Sequence, residues 1–198
     1  MRKAIQHLKL ADPVLATIIE QVGPFRMTYT DPVFGSLVRS IVYQQLSGTA
    51  AATIFGRLLA ATGQPITPAA ILQLSFDEMR SLGLSKQKAT YIRDLAEKTA
   101  AEDVIFEQFS RMTNDQVISR LTAVKGIGIW TAQMFLMFSL RRPDVLPCGD
   151  LGIRNAVQKA YGLAEPATPA VVEEIGGRWR PYCSVASWYL WRSLEVRT

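Results

Sequence analysis

Leu121-Thr122-Ala123-Val124-Lys125-Gly126-Ile127-Gly128-Ile129-Trp130-Thr131-Ala132 joins one helical pattern to the next through two glycines that flank a single apolar residue. Glycine reaches positive φ without steric cost, so Gly126-Ile127-Gly128 predicts a tight hairpin that opens the following helix. The first N–H groups of that helix lack internal partners and lie at the positive end of its dipole. A phosphate is the natural ligand of such a site. Further along, after Pro147, Asp150 supplies a candidate acid or base at the start of another helix.

Around this hairpin the helical signals recur from end to end, and alternating strand patterns are scarce. Asp31-Pro32 reads as an N-cap with proline in the first turn, followed by the stripe Phe34, Leu37, Val38, Ile41 and Val42. Ser47 caps a second helix, which stops at Gly63. Thr67-Pro68 starts a third, and Ser75 with Glu78 forms a capping box ended by Gly83. Ser85 caps the helix through Ala89, Ile92 and Leu95, and Thr113 with Gln116 boxes the one that leads into the hairpin. Trp130 to Leu140 is apolar all round and predicts a buried helix, broken by Arg141-Arg142-Pro143. Asp150 to Ala160 ends at Gly162, Thr168-Pro169 starts another helix, and Pro181 starts the last, with Trp188 and Trp191 read as core aromatics. A little extended chain is predicted near Phe25-Arg26-Met27. The expected class is all-α.

Composition narrows the function. The 198 residues are 48% hydrophobic and 20% charged, ordinary values for a chain with a real core. A net charge of +5 suits a polyanionic partner without being diagnostic. Two cysteines, Cys148 and Cys183, exclude a disulfide framework and an iron–sulfur cluster, and with His7 the only histidine they make a zinc site improbable. No apolar run has the length of a membrane span, and no signal-peptide pattern opens the chain. These observations lead to the expectation of a soluble intracellular protein with reduced thiols.

The chain resembles the helix-hairpin-helix DNA glycosylase superfamily, in particular its 3-methyladenine DNA glycosylase II branch. The resemblance is carried by Lys125-Gly126-Ile127-Gly128-Ile129-Trp130-Thr131-Ala132 and by Asp144-Val145-Leu146-Pro147 leading to Asp150-Leu151-Gly152-Ile153-Arg154. Ile41-Val42-Tyr43-Gln44-Gln45-Leu46-Ser47 and Gly83-Leu84-Ser85-Lys86-Gln87-Lys88-Ala89 match as well, with a weaker echo in Trp179-Arg180-Pro181-Tyr182. It implies two helical lobes with a base-binding cleft between them, a central lobe over 32–147 and a second lobe from 1–31 plus 148–198. The long members carry an extra N-terminal β-rich domain, so a short, minimal form is expected. A monomer suits an enzyme that wraps a bent duplex.

By this resemblance the hairpin residues Lys125, Gly126, Ile127, Gly128, Ile129 and Thr131 grip DNA backbone, with a monovalent cation often held by their carbonyls. No other cofactor and no catalytic metal are implied. Ser85, Lys86 and Lys88 form either a second phosphate contact or a plain solvated helix start. Asp150 is the catalytic carboxylate, a role compatible with capping a helix. Trp130 stands where bifunctional relatives carry a lysine nucleophile, so a monofunctional enzyme that leaves an abasic site is expected. Trp130 and Tyr182 are candidate walls of the pocket for a flipped, alkylated base. An aromatic face attracts the formal charge of such a base by about 0.5–2 kcal/mol. Met134 replaces the tyrosine of the long relatives, and Tyr182 replaces their tryptophan, so base preference does not carry over directly. Gln44-Gln45-Leu46-Ser47 sits at the position of the minor-groove wedge, with either Gln45 or Leu46 filling the vacated space. The alternatives are a non-catalytic DNA-binding module and a bifunctional lyase.

Overall fold

The computed structural model describes residues 1–195, and all regular structure among them is helical. Twelve α-helices follow one another among the described residues: α1 (Arg2–Ala11), α2 (Pro13–Val22), α3 (Phe34–Tyr43), α4 (Gly48–Thr62), α5 (Pro68–Gln73), α6 (Phe76–Ser81), α7 (Lys86–Ala100), α8 (Asn114–Thr122), α9 (Ile129–Phe138), α10 (Leu151–Tyr161), α11 (Pro169–Gly176) and α12 (Cys183–Ser193). Two 3₁₀ segments, Phe106–Arg111 and Gly177–Trp179, interrupt the longer connections.

The start signals act as their chemistry dictates. Ser47, Thr67, Ser85 and Thr168 each accept a backbone N–H from the turn they precede. Ser75 with Glu78, and Thr113 with Gln116, close reciprocal capping boxes. Asp31 does not cap α3, which begins later, after Val33; the Asp31 carbonyl instead accepts from Val33 N–H and the Ser36 hydroxyl. Before residue 30, where the sequence pattern marks only a little extended chain, lie α1 and α2, joined at the single residue Asp12.

The chain folds as two compact units, one over Thr30–Leu140 and one made of Met1–Tyr29 with the chain from Arg141 onward. In the central unit, α7 packs against α3, α5 and α6 while α8 packs on α9. Its interior holds Leu37, Ile41, Leu58, Ile71, Met79, Ile92, Leu95 and Leu136. The rings of Phe34, Phe106, Phe109 and Phe135 meet edge to face, the arrangement their quadrupoles favour. In the other unit α12 packs on α2 and α10 around Leu8, Leu15, Val157, Trp179 and Tyr189. The division falls at Leu140 rather than at Pro147. Val145 N–H donates to Ser184 Oγ at 3.1 Å, Ser184 N–H donates to the Pro143 carbonyl, and Leu146 is buried in the second core.

Asp12 holds the N-terminal helices to that core. Its carboxylate is 1% exposed and accepts the N–H groups of Val14 and Leu15 at 3.0 and 3.2 Å, capping α2. The Trp179 indole N–H reaches the other oxygen at 2.8 Å, and the Tyr161 hydroxyl donates to it too. Burial, reinforced by that carboxylate, pushes the Tyr161 pKa up. Asp12→Ala would leave two buried donors and a helix end without an acceptor. The expected loss is about 2–4 kcal/mol of folding stability, read from urea unfolding midpoints at constant m.

Candidate functional site

The hairpin is shaped by α7. Gly126 has φ +79°, and a Cβ there would lie 2.0 Å from the Tyr91 ring, so both backbone and packing demand glycine. One turn on, the buried Asp94 carboxylate accepts the Lys125 N–H at 2.9 Å. It also meets the ammonium groups of Lys98 at 3.2 Å and Lys125 at 3.5 Å. Ile127 inserts into the core while Lys125 and Gly128 remain exposed. Gly128 differs from Gly126: its φ is −89°, and nothing lies within 4 Å of where its Cβ would stand. No side chain caps α9, so its leading N–H groups start from an open glycine.

The helix that follows is only partly buried. Thr131, Ala132, Phe135, Leu136 and Met137 are interior, as its uniform hydrophobicity predicts. Ile129 and Trp130 instead stand 61% and 51% exposed. Adjacent in sequence, they expose their large apolar side chains together, as contiguous apolar surface at a binding site does. Trp130, Thr131 and Met134 share a 560 Å³ cavity with Arg39, Tyr43 and Gln44 of α3 and its end. The Arg39 guanidinium stacks 4.0 Å over the Tyr43 ring.

Between α3 and α4 the chain turns through Gln44-Gln45-Leu46-Ser47. Gln44 has φ −56° and ψ 130°, and Gln45 follows at φ +54°. Leu46 N–H closes the turn onto the Tyr43 carbonyl at 3.4 Å. This is a type II turn with glutamine where glycine or asparagine is usual. Gln45 and Leu46 are exposed at its tip, and Ser47 Oγ caps α4 by accepting from Ala50 N–H. Gln44 Nε2 donates to the Gly126 carbonyl at 3.0 Å, joining turn and hairpin. Ser85 Oγ accepts from Lys88 N–H as the cap of α7, and Lys86 is exposed. The Lys88 ammonium donates to the carbonyls of Val42 and Gln44.

In the other unit Asp150 caps α10. A single carboxylate oxygen, Oδ1, accepts both the Ile153 N–H and the Trp191 indole N–H at 2.8 Å. Gly152 makes room for this, since a Cβ there would lie 3.0 Å from both Asp150 Oδ1 and the Trp191 ring. Cys148 is no nucleophile beside it. Burial and then the Glu173 carboxylate, 3.1 Å from the sulfur, push its pKa up to about 12. Tyr182 precedes α12 with its ring edge-on to His7. Among the described residues no three His, Cys, Asp or Glu side chains are placed to hold a metal ion.

Residues 38–181 match the profile of the HhH-GPD superfamily base excision DNA repair protein family. The chain belongs to the HhH-GPD superfamily. Among the relatives of this HhH-GPD chain, "DNA-3-methyladenine glycosylase 1" of Schizosaccharomyces pombe is 35% identical, over 99% of this chain and 89% of its own. Among solved structures, the DNA-3-methyladenine glycosidase of Bacillus halodurans superposes with a TM-score of 0.88 at 38% identity, covering 95% of this chain and 87% of that one. The S. pombe 3-methyladenine DNA glycosylase in complex with abasic DNA gives 0.85 at 34%, covering 98% and 97%.

The HhH-GPD match begins at Val38 and so contains the turn, α7, the hairpin and Asp150, but it stops before Trp191. Trp191 packs against the second core, as expected of it, but its bond to Asp150 was not anticipated, nor were the contacts of Tyr91, Asp94 and Arg39. For Trp191 the hint was Gly152 inside a helix, where glycine is costly without a packing reason. Asp94 was legible as a lone acid among buried positions on the apolar side of its helix.

Desolvation pushes the Asp94 pKa up, but the Lys125 N–H, Lys98 and Lys125 outweigh it and hold the carboxyl below its ordinary 3.8. A depressed folded pKa stabilises above the unfolded value, and that stability is lost as pH falls through the folded one. Asp94→Asn should therefore be less stable than the parent by about 1 kcal/mol near neutral pH, with the difference closing below about pH 4. Urea unfolding across that range checks it.

Proposed function

We propose that this chain is a monofunctional DNA glycosylase that hydrolyses the N-glycosidic bond of alkylated bases, such as 3-methyladenine and 7-methylguanine, flipped out of duplex DNA. It leaves an abasic site. The observation that carries the reading is the Asp150 carboxylate: capped onto α10 and tied by Trp191, it is held in one orientation by two N–H donors on one oxygen. A fixed carboxylate is what an oxocarbenium-like sugar needs.

In the step proposed, the bond from C1′ to the base nitrogen breaks and its electron pair leaves with the base. For a ring-alkylated purine this pair cancels the formal positive charge, so the base departs neutral without a protonating acid. Asp150 stabilises the charge that develops on the sugar, and water adds to C1′. The water proton passes to the carboxylate and then to solvent. No amine takes part, so no Schiff base forms.

Trp130 receives the flipped base on its exposed face, with Met134 beside it. The hairpin, with the exposed end of α9 at Gly128, binds a backbone phosphate through main-chain N–H groups. Lys125 adds charge there, and Ser85 with Lys86 form the second backbone contact. The open space over Gly128 supports this role, because no atom of this chain explains the missing side chain. A monovalent cation shared with that phosphate would be held by hairpin carbonyls. Gln45, at the exposed tip of its turn, is the wedge that fills the space left by the base, and Leu46 flanks it. The chain acts as a monomer.

Asp150→Asn is expected to slow base release from 7-methylguanine duplex by about a hundredfold or more while abasic DNA is still bound. Single-turnover assays with hot-alkali cleavage read this, and release at the parent rate would overturn the assignment. Borohydride should trap no covalent adduct.

Trp130→Leu tests the ring separately. Release of cationic 7-methylguanine should fall by about 2–30-fold more than release of a neutral base such as hypoxanthine. Equal losses on the two would show that the ring contributes shape alone.

A further inference from the structure

Lys88 leaves α7 toward the end of α3, and its ammonium lies 2.6 Å from the carbonyl oxygens of both Val42 and Gln44. These carbonyls belong to the last turn of α3 and the residue after it, at the negative end of the helix dipole. Burial lowers the Lys88 pKa from its ordinary value, as it does for an ammonium drawn out of water. Lys86, two residues earlier, is exposed.

What the ammonium holds is strained. Gln45 sits at φ +54°, a conformation that costs about 1–2 kcal/mol outside glycine. Its longer side chain lacks the local backbone bond by which asparagine tolerates that region. Such strain persists where the surroundings over-determine it, and it concentrates at functional sites. Two contacts over-determine it here. Lys88 fixes the Gln44 carbonyl, which belongs to the peptide that enters Gln45, and Gln44 Nε2 fixes the same residue to the Gly126 carbonyl of the hairpin.

We propose that Lys88 is a positioning residue for the minor-groove wedge: its ammonium locks the turn that presents Gln45, and it makes no phosphate contact of its own. The inference rests on the glycosylase reading above and adds to it a division of labour between the two lysines. Lys86 meets the backbone. Lys88 acts through Gln45.

The two roles separate in one experiment. Lys88→Met, Lys86→Met, Gln45→Ala and the Lys88→Met/Gln45→Ala double variant are compared in single-turnover release of 7-methylguanine. The base is presented either in a paired duplex or unpaired opposite an abasic gap. Binding to abasic duplex is followed against salt, and melting temperatures are recorded. A wedge-positioning residue matters only while pairing and stacking must be broken. Lys88→Met should therefore slow paired release by about tenfold and recover to within about threefold of the parent on the unpaired base.

Its salt slope should match the parent's, whereas that of Lys86→Met should fall by about one unit. In the Gln45→Ala background, Lys88→Met should add no further loss, because coupled residues are non-additive. A slope lowered by about one unit in Lys88→Met would overturn the proposal in favour of a phosphate contact. So would equal slowing on both substrates, or full additivity with Gln45→Ala, with or without a lowered melting temperature. A parent protein that releases no base from either substrate would overturn the glycosylase reading instead.

Discussion

The Tyr91 ring lies where a side chain on Gly126 would be, and this close approach sets the central unit's working surface. Helix α7 presents Lys88, Tyr91 and Asp94 on successive turns. Each controls a different backbone segment: the turn after α3, the glycine of the hairpin, and the N–H that precedes that glycine. A helix is a rigid ruler with a rise of about 1.5 Å per residue, so three contacts along one side fix the spacing of what they hold. Both loops thus take their position from α7, and Gln44 ties them to each other. Sites carried on rigid elements keep their geometry better than sites on free loops.

Asp150 shows a comparable economy in the other unit. A carboxylate at an N-cap is stabilised by the helix it starts, and the Ile153 N–H fixes one oxygen. The Trp191 indole then binds that same oxygen, an approach open only because Gly152 lacks a Cβ. Capping does not compete with the role proposed for this carboxylate: the cap supplies the immobility that electrostatic stabilisation requires.

Much of this was legible in the chain, and the exceptions have physical causes. Caps such as Ser75, Ser85 and Thr113 were readable because the pairing of a hydroxyl with an N–H three residues on is local. The helices α1 and α2 were missed because Asp12 serves one as C-cap and the other as N-cap, so no gap in the pattern separates them. The carbonyl contacts of Lys88 were not legible for a different reason. Sequence marks it as a cation near a helix start, but its acceptors lie more than forty residues away and are carbonyls, which carry no residue identity. The same holds for Tyr91, whose partner is the space over a glycine. Long-range contacts to backbone leave little trace in residue type.

The two hairpin glycines had looked equivalent, and their difference is the most informative feature of the surface. Gly126 is required from within, by positive φ and by the Tyr91 ring. Gly128 is required by neither, since its φ is ordinary and a methyl group would meet nothing. Gln45 and Trp130 line one cavity with Gly128, and Ile129 and Leu46 are exposed as well, apolar or strained residues for which folding alone offers no reason. Local choices that oppose stability collect where function overrides it. A groove of backbone N–H groups without side chains, an exposed indole and a strained amide tip together suit one ligand that is anionic, aromatic and able to be parted. Duplex DNA with an everted base has all three properties.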